Sequence, residues 1–179
     1  DLLFADGKAN IQEALFVVTP IAHIIRQANL YIRTEQGLKF LEPMSLVMSK
    51  LLRQVMATPA NDSTVMTRLS VLEECVSACS AYTSKYFRQI LFIPEVVSFG
   101  EQTLVSLCQA IEKDKAPVKS SLLSRLSKLF DEYILWYKYE PNFGTLIGNR
   151  LKTLITKIKS AKSEKKNSDF PEQCKKKLT

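Results

Sequence analysis

Prolines placed just after clusters of apolar residues are the feature that most constrains the fold of this chain. The pattern occurs in LFVVTP (15–20), KFLEP (39–43) and LFIPE (91–95), and more loosely in YKYEP (137–141). A proline at the first position of a helix gives up a backbone donor that would have no partner there. Helices are therefore expected to begin near Pro20, Pro43, Pro94, Pro117 and Pro141, with a further capped start near residues 61–63.

The first of these prolines predicts two separate helices near the start of the chain. Asn10 followed by Glu13 forms a capping-box pattern for a short helix over NIQEALFVV. Thr19 is then the expected N-cap of a second helix that starts at Pro20 and ends near Gly37.

The spacing of these starts predicts an all-α fold built from paired helices. Most separations are 19 to 24 residues, with one near 32, so a helix pair recurs about every 45 residues. Sustained strand alternation is missing, and five glycines are few for a fold of many tight turns. The favoured architecture is a right-handed α-solenoid of HEAT-like or armadillo-like pairs, and the alternative is an irregular bundle of six or seven helices.

Charge and hydropathy divide the chain into a body and a tail. Residues 1–149 hold 15 basic and 15 acidic residues, whereas residues 150–179 hold 10 basic and 3 acidic ones, so the whole net charge of +7 lies at one end. Apolar periodicity stops after Lys159. We expect a single helical domain over residues 1–159 and a basic, disordered tail over residues 160–179.

Nothing in the sequence predicts catalysis, a metal or a cofactor. The only histidine, His23, lies in the apolar helix PIAHIIRQ and is expected to be partly buried. Cys75 and Cys79 share a helix face, but no second pair of ligands follows them. Glycine-rich phosphate loops and the serine nucleophile elbow are absent. No small-molecule substrate is expected.

The basic end of the chain is the candidate binding site. Its lysines and arginine can neutralise phosphates without reading base sequence. Phe170 is the only aromatic residue of the tail, which argues against stacking of single-stranded bases. The candidate nucleic-acid contacts are Arg150, Lys152, Lys157, Lys159, Lys162, Lys165, Lys166, Lys175, Lys176 and Lys177.

One stretch resembles a known family. YFRQILFIPEVVSF (86–99) is similar to a segment in the C-terminal helical region of the nucleolar protein 14 family, and VVTP (17–20) resembles a phrase upstream of it there. The resemblance implies a nucleolar assembly factor: a helical-repeat component of the small-subunit processome that helps mature 18S ribosomal RNA. It implies proteins of a large assembly and ribosomal RNA as partners, and no catalytic residues.

Two functional hypotheses remain open from the sequence. The first is a non-enzymatic scaffold that binds proteins through its helical body and ribosomal RNA through its basic end. The second is a protein-interaction adaptor whose basic tail is a localisation or membrane-surface signal. Four cysteines, three of them in helical patterns, indicate a reducing, intracellular compartment, and an apolar run long enough for a membrane span is missing.

Overall fold

In the computed structural model of the protein, residues 11–61, 63–82, 84–114 and 120–139 are described, and every regular element within those ranges is helical. The prediction of an all-α fold is confirmed for that part of the chain. The α-helices are α1 (Ile11–Ala28), α2 (Glu35–Leu38), α3 (Glu42–Ala57), α4 (Val65–Ser80), α5 (Ile93–Asp114) and α6 (Ser120–Tyr139). Short 3-10 helices span Lys39–Leu41 and Ser84–Gln89.

Two of the predicted proline starts are confirmed. Pro43 lies in the first turn of α3, and Pro94 lies in the first turn of α5. A missing N–H costs nothing at either position, because the first four N–H groups of a helix have no intrahelical acceptor. The starts predicted at Pro117 and Pro141 lie outside the described residues.

The start predicted at Pro20 is wrong, because α1 runs through this proline. The buried side chains of α1 follow one another at intervals of three and four residues on both sides of Pro20, which itself is exposed on the opposite face. Burying that continuous stripe outweighs the one helical hydrogen bond that proline removes. The buried residues are Ile11, Ala14, Val18, Ala22 and Ile25.

The end predicted near Gly37 is also wrong, since α1 ends at Ala28 and Gly37 lies in α2. The N–H of Gly37 donates to Oγ1 of Thr34 at 3.3 Å, which caps α2. A Cβ added to Gly37 would lie 3.3 Å from Cγ2 of buried Ile32, so glycine allows the close approach of this short helix to the preceding segment.

The chain divides into two compact units, Asp1–Gln102 and Thr103–Thr179. In the first unit α1 packs mainly against α4 and also against α3. The helix α4 has buried residues on several faces, including Leu69, Val71, Leu72 and Val76. Such a distribution is typical of a central helix rather than of a surface helix with one apolar stripe.

A buried arginine fixes the corner between α3 and α4. Arg68 is 2% exposed, and its Nη2 donates to the carbonyl of Val55 at 3.1 Å and to the carbonyl of Thr58. Its guanidinium carbon lies 5.9 Å from the ring centre of Phe99 on α5. Burial lowers the pKa of Arg68 from its ordinary value. Its acceptors are carbonyls at the end of α3, where the helix dipole favours a cation.

An ion pair joins α3 to the start of α5. Nε of Arg53 donates to Oε1 of Glu95 at 2.9 Å, and Nη2 of the same arginine donates to the same oxygen. Glu95 is buried in the first turn of α5, whereas the side chain of Arg53 is largely exposed. The carboxylate of Glu95 thus lies at the positive end of α5 and pairs with an arginine on the surface of α3.

In the second unit, α6 confirms the helix predicted over residues 119–138. The ring of Tyr133 meets that of Trp136 edge to face, with centroids 5.8 Å apart and planes at 78°. Buried side chains lie on one stripe of α6, namely Leu126, Leu129, Phe130, Tyr133 and Trp136. The last predicted helix and the tail lie outside the described residues, so a single domain over 1–159 with a separate tail stays a prediction.

Candidate protein-docking surface

The side of α1 that faces away from α4 carries large apolar side chains in solvent. Phe16 is 80% exposed and Ile24 is 45% exposed, and exposed Pro20 lies between them. Residues four apart lie above one another on a helix, so these three form one stripe about 12 Å long. We call Phe16, Pro20 and Ile24 the outer face of α1.

The outer face lies in a stretch without charge. Residues 14–25 contain no Asp, Glu, Lys or Arg, although this stretch spans about three helical turns and five of its residues are exposed. Solvated helix faces usually carry charged side chains, whereas the centres of protein interfaces are depleted of them. Both the apolar side chains and the missing charges are therefore typical of a surface that a partner covers.

Pro20 adds a polar feature to this surface. Because proline has no N–H, the carbonyl of Phe16 lacks the helical hydrogen bond that residue 20 would otherwise donate. That carbonyl lies at the same turn as the exposed ring of Phe16. The outer face thus combines apolar side chains with one backbone acceptor that can receive a donor from a partner.

Two long-range contacts join α1 to α4 and to the turn that follows α4. Nη1 of Arg26 donates to Oε2 of Glu74 at 2.9 Å, and both side chains are partly buried. The hydroxyl of Tyr82 donates to the carbonyl of Ile25 at 2.7 Å, and burial raises the pKa of Tyr82 to about 12. The C-terminal end of α1 is therefore held by side-chain contacts as well as by apolar packing.

A second group of exposed apolar side chains differs in its surroundings. Tyr31 is 83% exposed and Phe40 is 78% exposed, and both lie in the connection from α1 to α3. Four charged residues accompany them, namely Arg33, Glu35, Lys39 and Glu42. Phe40 is about as exposed as Phe16, but charged residues surround it in the sequence. Phe40 is therefore the reference position for the outer face.

None of the ten predicted nucleic-acid contacts can be placed. Arg150 and the nine lysines from Lys152 to Lys177 all lie outside the described residues. The described part of the chain therefore does not test whether these residues lie together. What is known of these ten residues is that they lie close together in the sequence.

The histidine and the two helical cysteines differ in burial. His23 is exposed, so the expectation of a partly buried histidine is wrong; it faces the side of α1 opposite the buried stripe. Cys75 and Cys79 are buried, and desolvation raises the pKa of both thiols, with the charge of Glu74 adding to the effect at Cys75. Within the described ranges, no group of three His, Cys, Asp or Glu residues could hold a metal ion.

The outer face is the feature that sequence reasoning missed. If a helix starts at Pro20, the spacing of Ile21, Ile24 and Ile25 predicts that all three are buried on one face. One signal was present, because Ala14, Val18, Ala22 and Ile25 keep a three-to-four spacing across the proline and leave Phe16 and Ile24 on the other side.

Comparisons with protein-family models, curated proteins and solved structures found no match to this chain. In the part of the chain that the structure describes, no helix combines the length and the apolar character that crossing a membrane requires.

Proposed function

We propose that this protein is a non-enzymatic helical scaffold that binds a protein partner through the outer face of α1. The observation that carries the proposal is the exposure of Phe16 and Ile24 in a stretch without charged residues. Aromatic and aliphatic side chains that become fully desolvated supply most of the affinity of protein interfaces.

The packing of the first unit supports the repeat architecture as part of this proposal. The helix α1 packs on α3, the next long helix, and on α4, the first helix of the following pair. Arg53 joins α3 to the start of α5, which is the second helix of that pair. This order of contacts is the one that stacked helix pairs make in an α-solenoid.

A double substitution tests the docking surface. Phe16→Asp with Ile24→Asp places two charges on the outer face, and the control, Phe40→Asp with Leu46→Asp, places two on exposed apolar positions elsewhere. We expect the first variant alone to lose its protein partners in quantitative affinity purification. Loss of an aromatic anchor costs roughly 2 kcal/mol or more, which is about thirtyfold in affinity.

The outcome is interpreted together with a thermal unfolding curve for each variant. Both pairs of positions are exposed, so both variants are expected to unfold near the wild-type temperature. Equal partner recovery from the two folded variants would refute the role of the outer face.

The proposal includes a second contact, between the basic end of the chain and ribosomal RNA. It is supported by the ten basic residues among residues 150–179 and by the resemblance of residues 86–99 to the nucleolar protein 14 family. Under this proposal the protein works in the nucleolus, in assembly of the small ribosomal subunit.

Deletion of residues 160–179 tests the RNA contact. The truncated and full chains are titrated with a ribosomal RNA fragment at two salt concentrations. We expect the deletion to weaken binding and to flatten the salt dependence, because each lost phosphate contact removes about 0.7 from the logarithmic slope. Unchanged affinity and slope would favour the adaptor hypothesis, in which the tail is an address signal.

A further inference from the structure

The connection between α3 and α4 contains a threonine followed by a proline. The sequence has two Thr-Pro pairs, Thr19–Pro20 and Thr58–Pro59. The first lies inside α1, whereas Thr58 follows the last residue of α3. The two pairs have the same two residues in different conformations, so each can serve as a control for the other.

The backbone at Thr58 is extended, with φ −82° and ψ 127°. Proline at the next position disfavours the helical conformation here, and Arg68 holds the carbonyl of Thr58 in place. Pro59, Ala60 and Asn61 are all exposed and non-helical. The backbone is therefore extended at Thr58, and the three residues that follow it are exposed and non-helical.

The hydroxyl of Thr58 is held only weakly. Its Oγ1 donates to the carbonyl of Gln54 at 3.3 Å, a long distance for a hydroxyl donor. Thr58 itself is half-buried and lies outside the apolar core. Rotation about χ1 releases it toward solvent at the cost of one weak hydrogen bond.

We propose that Thr58 is a phosphorylation site for a proline-directed serine/threonine protein kinase. In this reaction Oγ1 of Thr58 attacks the γ-phosphorus of a magnesium-bound nucleoside triphosphate, and the bond from that phosphorus to the β,γ-bridging oxygen breaks. A carboxylate base of the kinase takes the hydroxyl proton, and the nucleoside diphosphate leaves. Thr58 thereby gains a phosphate ester.

The phosphate would loosen the corner between α3 and α4. It removes the hydrogen bond to the carbonyl of Gln54 and adds negative charge at the C-terminal end of α3, where the carbonyl groups already make the potential negative. The phosphate would compete for Arg68 with the carbonyls of Val55 and Thr58, which already accept from its Nη2. The modification therefore weakens the contact by which Arg68 fixes this corner.

The test incubates the full folded chain with a purified proline-directed kinase, Mg²⁺ and ATP, and maps phosphate by mass spectrometry. We expect Thr58 to be modified at least about tenfold faster than Thr19, because reaching Thr19 requires unwinding the middle of a packed helix. Short peptides around each threonine serve as references, and both are expected to react at similar rates.

Three variants complete the design. Thr58→Ala and Pro59→Ala are each expected to abolish the modification, whereas Thr19→Ala is expected to leave it unchanged. Absence of phosphate on Thr58 in the folded chain, or equal modification of Thr19, overturns the proposal.

The proposed loosening has its own measurement. Amide hydrogen exchange over residues 55–61 is compared between the phosphorylated chain and the Thr58→Ala variant, which also lacks the hydroxyl donor but carries no charge. We expect exchange about tenfold faster in the phosphorylated chain. Equal rates would show that the added charge does not act on Arg68 and its carbonyl partners.

Discussion

At the scale of single residues, Arg68 shows how a charge can be part of the core. Its position in TRLS within an apolar helix gives no sign of burial, since arginine at such a position is ordinarily solvated. The structure places it beneath the end of α3 because carbonyls there need donors. This pairing depends on two helices meeting, and helical periodicity in one segment contains no information about it.

Replacing Arg68 by methionine keeps most of the side-chain volume and removes the donors. The carbonyls of Val55 and Thr58 then lose a partner in a buried environment, so we expect the free energy of unfolding to fall by about 2–4 kcal/mol. Urea unfolding measures the change. Lys50→Met, an exposed substitution on α3, is the control and should change stability by less than about 0.5 kcal/mol.

Tyr82 makes stability depend on pH at alkaline values. Burial raises its pKa from 10.0 to about 12, so the neutral hydroxyl favours the folded state. The contribution is complete below pH 10 and is lost as pH rises through about 12. Tyr82→Phe should lower the free energy of unfolding by about 1 kcal/mol at pH 7 and reduce its fall between these pH values.

Unfolding curves collected from pH 8 to pH 12 check this prediction. Tyr31→Phe serves as the control, because it makes the same chemical change at an exposed position. A Tyr82→Phe variant with the wild-type pH profile would contradict the assignment of the alkaline loss to this hydroxyl.

At the scale of elements, the prolines show which part of a helix can be predicted from a local pattern. Pro43 and Pro94 do mark helix starts, and the sequence alone predicted them. Pro20 has the same kind of apolar flank and lies inside α1. At Pro20 the stripe of buried residues continues past the proline, because both halves of α1 pack in the same unit. The residues next to the proline do not determine this.

This difference predicts opposite effects of two alanine substitutions. Pro20→Ala restores the hydrogen bond to the carbonyl of Phe16 in the middle of α1 and should raise the free energy of unfolding by about 1–3 kcal/mol. Pro43→Ala should lower it by about 0.5 kcal/mol, because a proline in the first turn fits the helix and restricts the unfolded chain.

Thermal and urea unfolding of the two variants are compared with the wild type. A destabilising Pro20→Ala would mean that the proline contributes a favourable contact that outweighs its missing donor.

At the scale of the whole molecule, the all-α class followed from helical periodicity and the lack of strand alternation, and it is confirmed for the described residues. The docking surface could not be predicted in the same way. Phe16 and Ile24 resemble core residues by composition, and the spacing that separates them from the buried stripe is recognised only once α1 is known to continue through Pro20 and to pack on α4. The identity of the proposed partner depends on the side chains of another molecule, which this sequence does not contain.

The central claim is that a partner protein covers the outer face of α1, and site-specific photocrosslinking tests it most directly. A photoreactive phenylalanine analogue replaces either Phe16 or Phe40, which are matched in residue type and exposure. In cells that produce the chain, we expect irradiation to yield a discrete protein adduct from position 16 and none of comparable yield from position 40. No adduct at position 16, or the same adducts from both positions, would contradict the claim.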